Sequence, residues 1–136
     1  MAAFSNYLEN ELLDHILRAA TYTAPTSVWI VLHTADNGLE AGTITGEVSG
    51  GSYARVEVGG ASGRTFSVAA AGTTDNDQDI TFATATADWG TVTHMSVMDA
   101  STAGNVLFHG YLTVLKTVNN GDTFKFNAGD LDVTLD

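Results

Sequence analysis

The hydrophobic positions change period once along the chain. Between Phe4 and Ala20 they recur at helical spacing, with Leu8, Leu12 and Ile16 at i, i+4 and i+8 and Leu13 and Leu17 widening the stripe. The pattern predicts an amphipathic helix over residues 4–20. Ser5 or Asn6 is placed to cap its start, and Asn6 with Glu9 three residues on has the form of a capping box. Glu9 and Glu11 suit the positive end of the helix dipole and Arg18 the negative end. Thr21, Tyr22 and Thr23 then favour extended backbone, and Pro25 confirms the stop.

From residue 26 onward the apolar runs are short and are separated by turn-forming residues. Ser27 to Thr34 is almost continuously apolar and β-branched, as expected of a central strand covered on both faces. Tyr53 to Val58 alternates, with Ala54, Val56 and Val58 on one face. Arg64 to Ala70 reads as a strand with Phe66 and Val68 inward, Thr73 to Gln78 as a polar turn, and Asp79 to Ala83 as a strand with Ile80 and Phe82 inward. Thr91 to Met98, Asn105 to Leu112, Val114 to Val118, Thr123 to Phe126 and Leu131 to Leu135 complete the strand-like runs. Asn119-Asn120-Gly121-Asp122 and Ala103-Gly104-Asn105 are turn signals, because Asn and Gly tolerate positive φ. Asp36 to Gly51 reads as a long loop. The expected architecture is mainly β: one domain over residues 1–136, with an N-terminal helix (4–20) and a jelly-roll-like β-sandwich (26–136).

Composition narrows the function classes. A chain of 136 residues can bury a core without staples, and with no cysteine there is neither thiolate chemistry nor a disulfide. Sixteen acidic residues against five Lys and Arg give a formal charge of −11. A surface this acidic repels phosphate backbones and anionic lipid, so neither nucleic acid nor a membrane is expected as a partner. No apolar run approaches the ~20 residues of a membrane span. The first residues do not have the form of a signal peptide, which points to synthesis and first use in a cytoplasm.

Three groups of residues invite a chemical reading. The stretch Thr86 to Ala100, "TADWGTVTHMSVMDA", holds Asp88, His94, Ser96 and Asp99. On a regular strand His94 and Ser96 share a face, but Asp88 and Asp99 lie on the order of 35 Å apart and cannot both reach the histidine. No orienting acid or oxyanion hole is fixed by this spacing, so no catalytic residue is assigned and the chain reads as a non-enzyme. Asp88-Trp89-Gly90 is expected to be a turn, with Trp89 closing the core and Asp88 capping backbone amides. Asp75-Asn76-Asp77-Gln78-Asp79 has the opening of a calcium loop, but Ile80 stands where the glycine belongs and Thr86 where the closing glutamate belongs. The histidines, His15, His33, His94 and His109, have no metal-ligand spacing, so neither a metal nor a cofactor is expected. Gly50-Gly51 and Gly59-Gly60 with Gly63 lack the lysine and strand-loop-helix context of a phosphate loop.

The order of segments is more specific than any one motif. The series "FSNYLENELLDHIL", "YTAPTSVWIVLHTAD", "GGSYARVEV", "FATATADWGTVTHMSVMDA", "GNVLFHGYL" and "VNNGDTFKFNAGDLDVTL" resembles a family of small structural proteins of tailed bacteriophages, some labelled tail fibre proteins and some head decoration or cement proteins. The resemblance runs from Phe4 to Leu135 and departs from the family pattern at "HMSVMDA", where a more aromatic strand is expected. It implies a virion structural protein with no transferable catalytic motif. A compact chain without repeat or shaft suits a capsid decoration protein on the head surface, bound to the major capsid protein as a homo-oligomer (dimer or trimer). A tail fibre or tail-tip component is the alternative. A carbohydrate-binding module is a further one, with Tyr53, Trp89 or Tyr111 stacking on sugar rings. The expected partner contacts are Tyr7, Leu8, Leu12 and Ile16 on the helix, and Leu39 and Ile44 in the long loop.

Overall fold

The computed structural model describes residues 2–135. In chain order the strands are β1 (Ala2–Phe4), β2 (Ser27–His33), β3 (Val56–Gly59), β4 (Thr73–Asp75), β5 (Ile80–Thr81), β6 (Gly90–Met98), β7 (Val106–Val118), β8 (Lys125–Phe126) and β9 (Asp132–Thr134), with one helix, α1 (Asn6–Leu17), between the first two. The main sheet has the order β1-β7-β6-β2-β3, antiparallel throughout, and β4-β9 and β5-β8 form two short ribbons. The protein is mainly β, and its second layer is split between those ribbons.

One face of the main sheet makes the large core. Ile30, Leu32, Met95 and Val97 project from it and pack with Ile80, Phe82, Phe124 and Phe126 from the β5-β8 side. Aromatic rings organise the junction: Phe82 stacks with Tyr53 at 6.1 Å and meets Phe124 edge-on at 5.7 Å. Each of these fully buried side chains contributes about 1.5–3 kcal/mol of transfer free energy. The opposite face carries a smaller cluster, Val31, Met98 and Val106, with Ile44 packed against it. The Ile30 to His33 run is buried without interruption, as its continuous apolar pattern requires.

The helix is shorter than its apolar stripe. Phe4 belongs to β1, where its ring lies 5.1 Å from that of Phe108. Ser5 is the cap: its hydroxyl accepts from the Leu8 N–H at 3.3 Å and donates to the Val106 carbonyl. The helix ends at Leu17, the Arg18 N–H closing on the Asp14 carbonyl, and Ala19 takes a positive φ of 52°.

Several expectations are corrected. Arg64 to Ala70 is not a strand. It pairs only through two isolated bridges, Phe66 with Asn76 and Ala70 with Thr73, and Val68 is 94% exposed rather than inward. The expected turn Thr73 to Gln78 instead begins with β4, whose three residues pair with β9. Asn105 to Leu112 and Val114 to Val118 are parts of one strand, β7. Its register against β6 jumps between Val92↔Lys116 and His94↔Tyr111, so a bulge replaces the expected break. The loop Asp36 to Gly51 is irregular, as expected, but it is built into the core through buried Leu39 and Val48 and one 3-10 turn, Leu39–Ala41.

Candidate functional site

The stretch around His94 resolves into turn closers and a buried polar row. Asp88 accepts from the Asn120 N–H at 2.8 Å, and Asp99 accepts from the Asn105 N–H at 2.7 Å and its side-chain amide at 2.8 Å. Trp89 is buried and donates to the Gly51 carbonyl at 2.9 Å. Gly51 has φ +54°, and a Cβ there would stand 2.9 Å from the indole nitrogen, so this contact requires glycine. Ser96 does not pair with His94. Its hydroxyl lies 2.8 Å from Nε2 of His33 on the neighbouring strand, while His94 Nδ1 lies 2.8 Å from the Thr93 hydroxyl.

The register explains why these groups meet. His33 pairs with His94, Val31 with Ser96, and Ser96 with His109, which places three histidines and one serine on the same sheet face. His33 and Ser96 are completely buried, and Nδ1 of His33 and Nε2 of His109 have no hydrogen-bond partner. Burial pushes the His33 imidazole down to about 4; Glu47 and Asp36 oppose the shift, and Arg55 and His94 add to it. A Ser–His pair sealed from solvent has no room for a substrate, so the geometry serves packing rather than acyl transfer. Spacing within one strand could not reveal this pair, because its partner comes from β2, 63 residues earlier.

Above that row the covering loop is fastened by an ion pair. Arg55 donates twice to the Glu47 carboxylate, at 2.8 and 2.7 Å, and its third nitrogen reaches the Ala100 and Ala103 carbonyls at 2.8 Å each. The bond to Glu47 holds the guanidinium pKa above its ordinary value. Asp36 caps the 3-10 turn by accepting from the N–H groups of Leu39 and Gly38, which hold its carboxyl below the ordinary value.

The acidic run Asp75 to Asp79 disperses into separate latches. Asp75 accepts from the Ser67 hydroxyl, Asp77 from the Thr65 hydroxyl at 2.6 Å, and Asp79 from Lys125 at 3.0 Å and the Ala128 N–H at 3.0 Å. Asn76 is buried between them. Its amide donates to the Gln78 and Asn127 carbonyls at 2.7 and 2.9 Å, and its oxygen accepts from the Leu131 N–H at 2.9 Å. Among the described residues, no three His, Asp or Glu side chains converge on a possible metal position.

The surface holds two apolar features. The first is α1. Leu8 is buried, Leu12 and Tyr7 are half-buried, and Ile16 is 72% exposed. The inward stripe therefore engages the body only at its start, and Leu13 and Leu17 are exposed beside Ile16. The second is a groove of about 440 Å3 along the outer edge of β7. Its buried lining includes Met95, Leu112, Phe124, Phe126 and Leu131, and its exposed lining Tyr111, Val114 and Leu115. β1 pairs with β7 only over Phe108 to Gly110, so among the described residues no strand covers that edge further on. Of the other expected contact residues, Leu39 is buried within the chain and Ile44 packs on the Val31 cluster. The three aromatic rings considered for sugar stacking divide in the same way. Trp89 is buried, Tyr53 is half-buried with its hydroxyl accepting from the Leu32 N–H, and Tyr111 is exposed edge-on to His94.

No curated protein matches the chain. A family model does match, over residues 3–134, and its description is Podophage GP4 fiber I protein gp80. The order of segments along the chain and this match agree: the protein belongs to that family of tailed-phage structural proteins.

Proposed function

We propose that the chain is a structural subunit of a virion fibre assembly. The family match across nearly its whole length carries this reading, and it favours the fibre alternative over the capsid-decoration role that compactness alone had put first. The fold supports a connecting or terminal module rather than a shaft, because both layers share one core and no unit repeats along the chain. A structural role also accords with the buried Ser96–His33 pair and with carboxylates engaged by protein donors. The exposed end of α1 at Ile16, with half-buried Tyr7 and Leu12 at its margin, is the partner-facing element in this proposal. Buried Leu8 and the Leu39–Ala41 turn support it from within, and Ile44 belongs to the Val31 cluster.

A second reading, decoration of the head shell through the major capsid protein, is favoured by the same compactness. Gold labelling of intact particles with an antibody to this chain separates the two. Label confined to the tail or its fibres is the expected result. Label spread over the head would replace the fibre assignment by decoration, and unlabelled particles would overturn both.

A further inference from the structure

The two apolar features fit one another rather than themselves. Eight large hydrophobic side chains are exposed among the described residues, and five of them lie on these features: Leu13, Ile16 and Leu17 on α1, and Val114 and Leu115 along the groove, whereas the Tyr111 ring turns to His94 on the other face of the sheet. The helix face is convex and the groove is concave. They also sit on different sides of the sheet. The groove opens over Met95 and Leu112, on the large-core face. α1 packs with the Leu39–Ala41 turn, whose loop covers the opposite, Val31 face. A molecule therefore cannot fill its own groove with its own helix.

Charge narrows the occupant further. Copies with a formal charge of −11 repel one another, so they can meet only where carboxylates are sparse. The β7 wall of the groove, Gly110 to Lys116, has no carboxylate and one cation, Lys116, whose ammonium stands 5.3 Å above the Phe124 ring. The helix face brings the opposite sign: Glu9 is exposed and stands in line with Leu13 and Leu17 at i, i+4 and i+8. The far wall carries Lys125, which is paired with Asp79 at 3.0 Å, and Asp130 and Asp132, of which Asp130 is already engaged by the Asn127 N–H and amide.

We propose that the occupant of the groove is a second copy of this chain, whose α1 lays Leu13, Ile16 and Leu17 against Val114, Leu115 and the buried floor, with Glu9 directed toward Lys116. The contact is head-to-tail. Each copy keeps its own helix free for the next groove, so association propagates into a ring or an open filament and does not stop at a twofold dimer. The inference concerns contacts between copies and stands independently of where on the virion the protein sits, so gold labelling does not decide it.

The test uses two variants of the full chain, Ile16→Asp on the helix and Leu115→Asp on the groove, with sedimentation velocity and circular dichroism as readouts. Each change places a carboxylate on an exposed apolar side chain and should leave the β signal intact. The native chain is expected to assemble beyond a dimer. Each variant alone should associate about 30-fold or more weakly. Mixed in equal amounts, the two variants should form dimers and nothing larger, because one intact helix and one intact groove remain. A monomeric native chain would overturn the proposal, as would a helix variant that assembles normally. If the groove variant still self-associates, helix-to-helix pairing replaces the head-to-tail contact. Should a variant lose its fold, single cysteines answer the same question, since the chain has none of its own. Ile16→Cys mixed with Val114→Cys should give mainly the mixed disulfide. Homodisulfides alone, or none, would defeat the inference.

Discussion

Strands β2 and β6 and the segment from Arg64 to Gln78 belong to one small domain, yet they are held by opposite means. Between the two strands, Ile30, Leu32, Met95 and Val97 are buried on one face and Val31, Ser96 and Met98 on the other. Backbone pairing and apolar burial specify that region together. The Arg64 to Gln78 segment has only β4 and isolated bridges for backbone order, and Val68 in its middle points to solvent. Its shape rests on side-chain bonds: Ser67 to Asp75 and Thr65 to Asp77 within the segment, and Asn76 to the distant 127–131 loop. The lesson concerns tolerance. An apolar layer spreads its stability over many contacts, whereas a polar latch concentrates it in a few groups that fail completely once desolvated and unpaired.

The largest effect is expected inside the large core that backs the first region. Phe82 follows β5 and packs against Tyr53 and Phe124. Phe82→Ala should cost about 3–5 kcal/mol, the range for emptying a buried aromatic site, in chemical denaturation monitored by tryptophan fluorescence. A loss below about 1 kcal/mol would mean that the ribbons collapse into the space and that the large core is softer than its packing implies.

Acid should weaken the main sheet next. His33 is neutral in its buried site with a pKa of about 4, against about 6.5 for an exposed imidazole. A depressed histidine pKa adds stability that is complete above about 6.5 and is lost as pH falls toward 4, amounting to about 3 kcal/mol. Asp36, held below its ordinary value by two backbone donors, loses its share later in the acid limb. Denaturation curves between pH 7 and pH 4 should show a slope that His33→Leu flattens. An unchanged slope would place the acid sensitivity elsewhere.

Asn76 tests the other region. Asn76→Ala removes three hydrogen bonds in a buried position and should cost about 2–3 kcal/mol. Asn76→Asp sharpens the result, because a carboxylate cannot donate to the Gln78 and Asn127 carbonyls. It should destabilise most at neutral pH and recover as acid protonates it, the reverse of the His33 trend. If both variants are as stable as the native chain, the segment is carried by β4-β9 pairing alone.

The same division decides how much could be read from the chain. The β2 run, the β6 run and the Ile80/Phe82 pair were legible because burial on a strand leaves a period or a block of apolar residues. Trp89 as a core-closing residue and Asp88 as a cap followed from turn chemistry and hold in the structure. Arg64 to Ala70 misled because alternation at Phe66 and Val68 resembles a half-buried strand, and nothing local says that the neighbouring strand is missing. Asn76 lay inside an acidic run that resembled a calcium loop; its partners are 51 and 55 residues away. The His33–Ser96 pair was hidden for the same reason. β1 is too short to show a period, and its pairing with β7 depends on the far end of the chain. On the surface, the stripe predicted the helix but not how little of it the body covers.

The smallest effect concerns the hinge between the helix and the sheet. Ser5 satisfies the Leu8 N–H and holds the Val106 carbonyl, so one hydroxyl both caps α1 and ties it to β7. Ser5→Ala should cost about 1 kcal/mol, the usual value for losing a cap. Global stability resides in the two layers, so the unfolding midpoint should move little. The helix has only Leu8 fully buried, so the loss should appear mainly as fraying of its exposed end, seen as faster amide exchange over residues 8–17 with the β-strand amides unchanged. If α1 also bridges copies, this variant should weaken assembly more than it weakens the fold. Equal loss in both would mean that the helix is a passive part of the core, and the contrast between a stable sheet and a loosely held docking element would disappear.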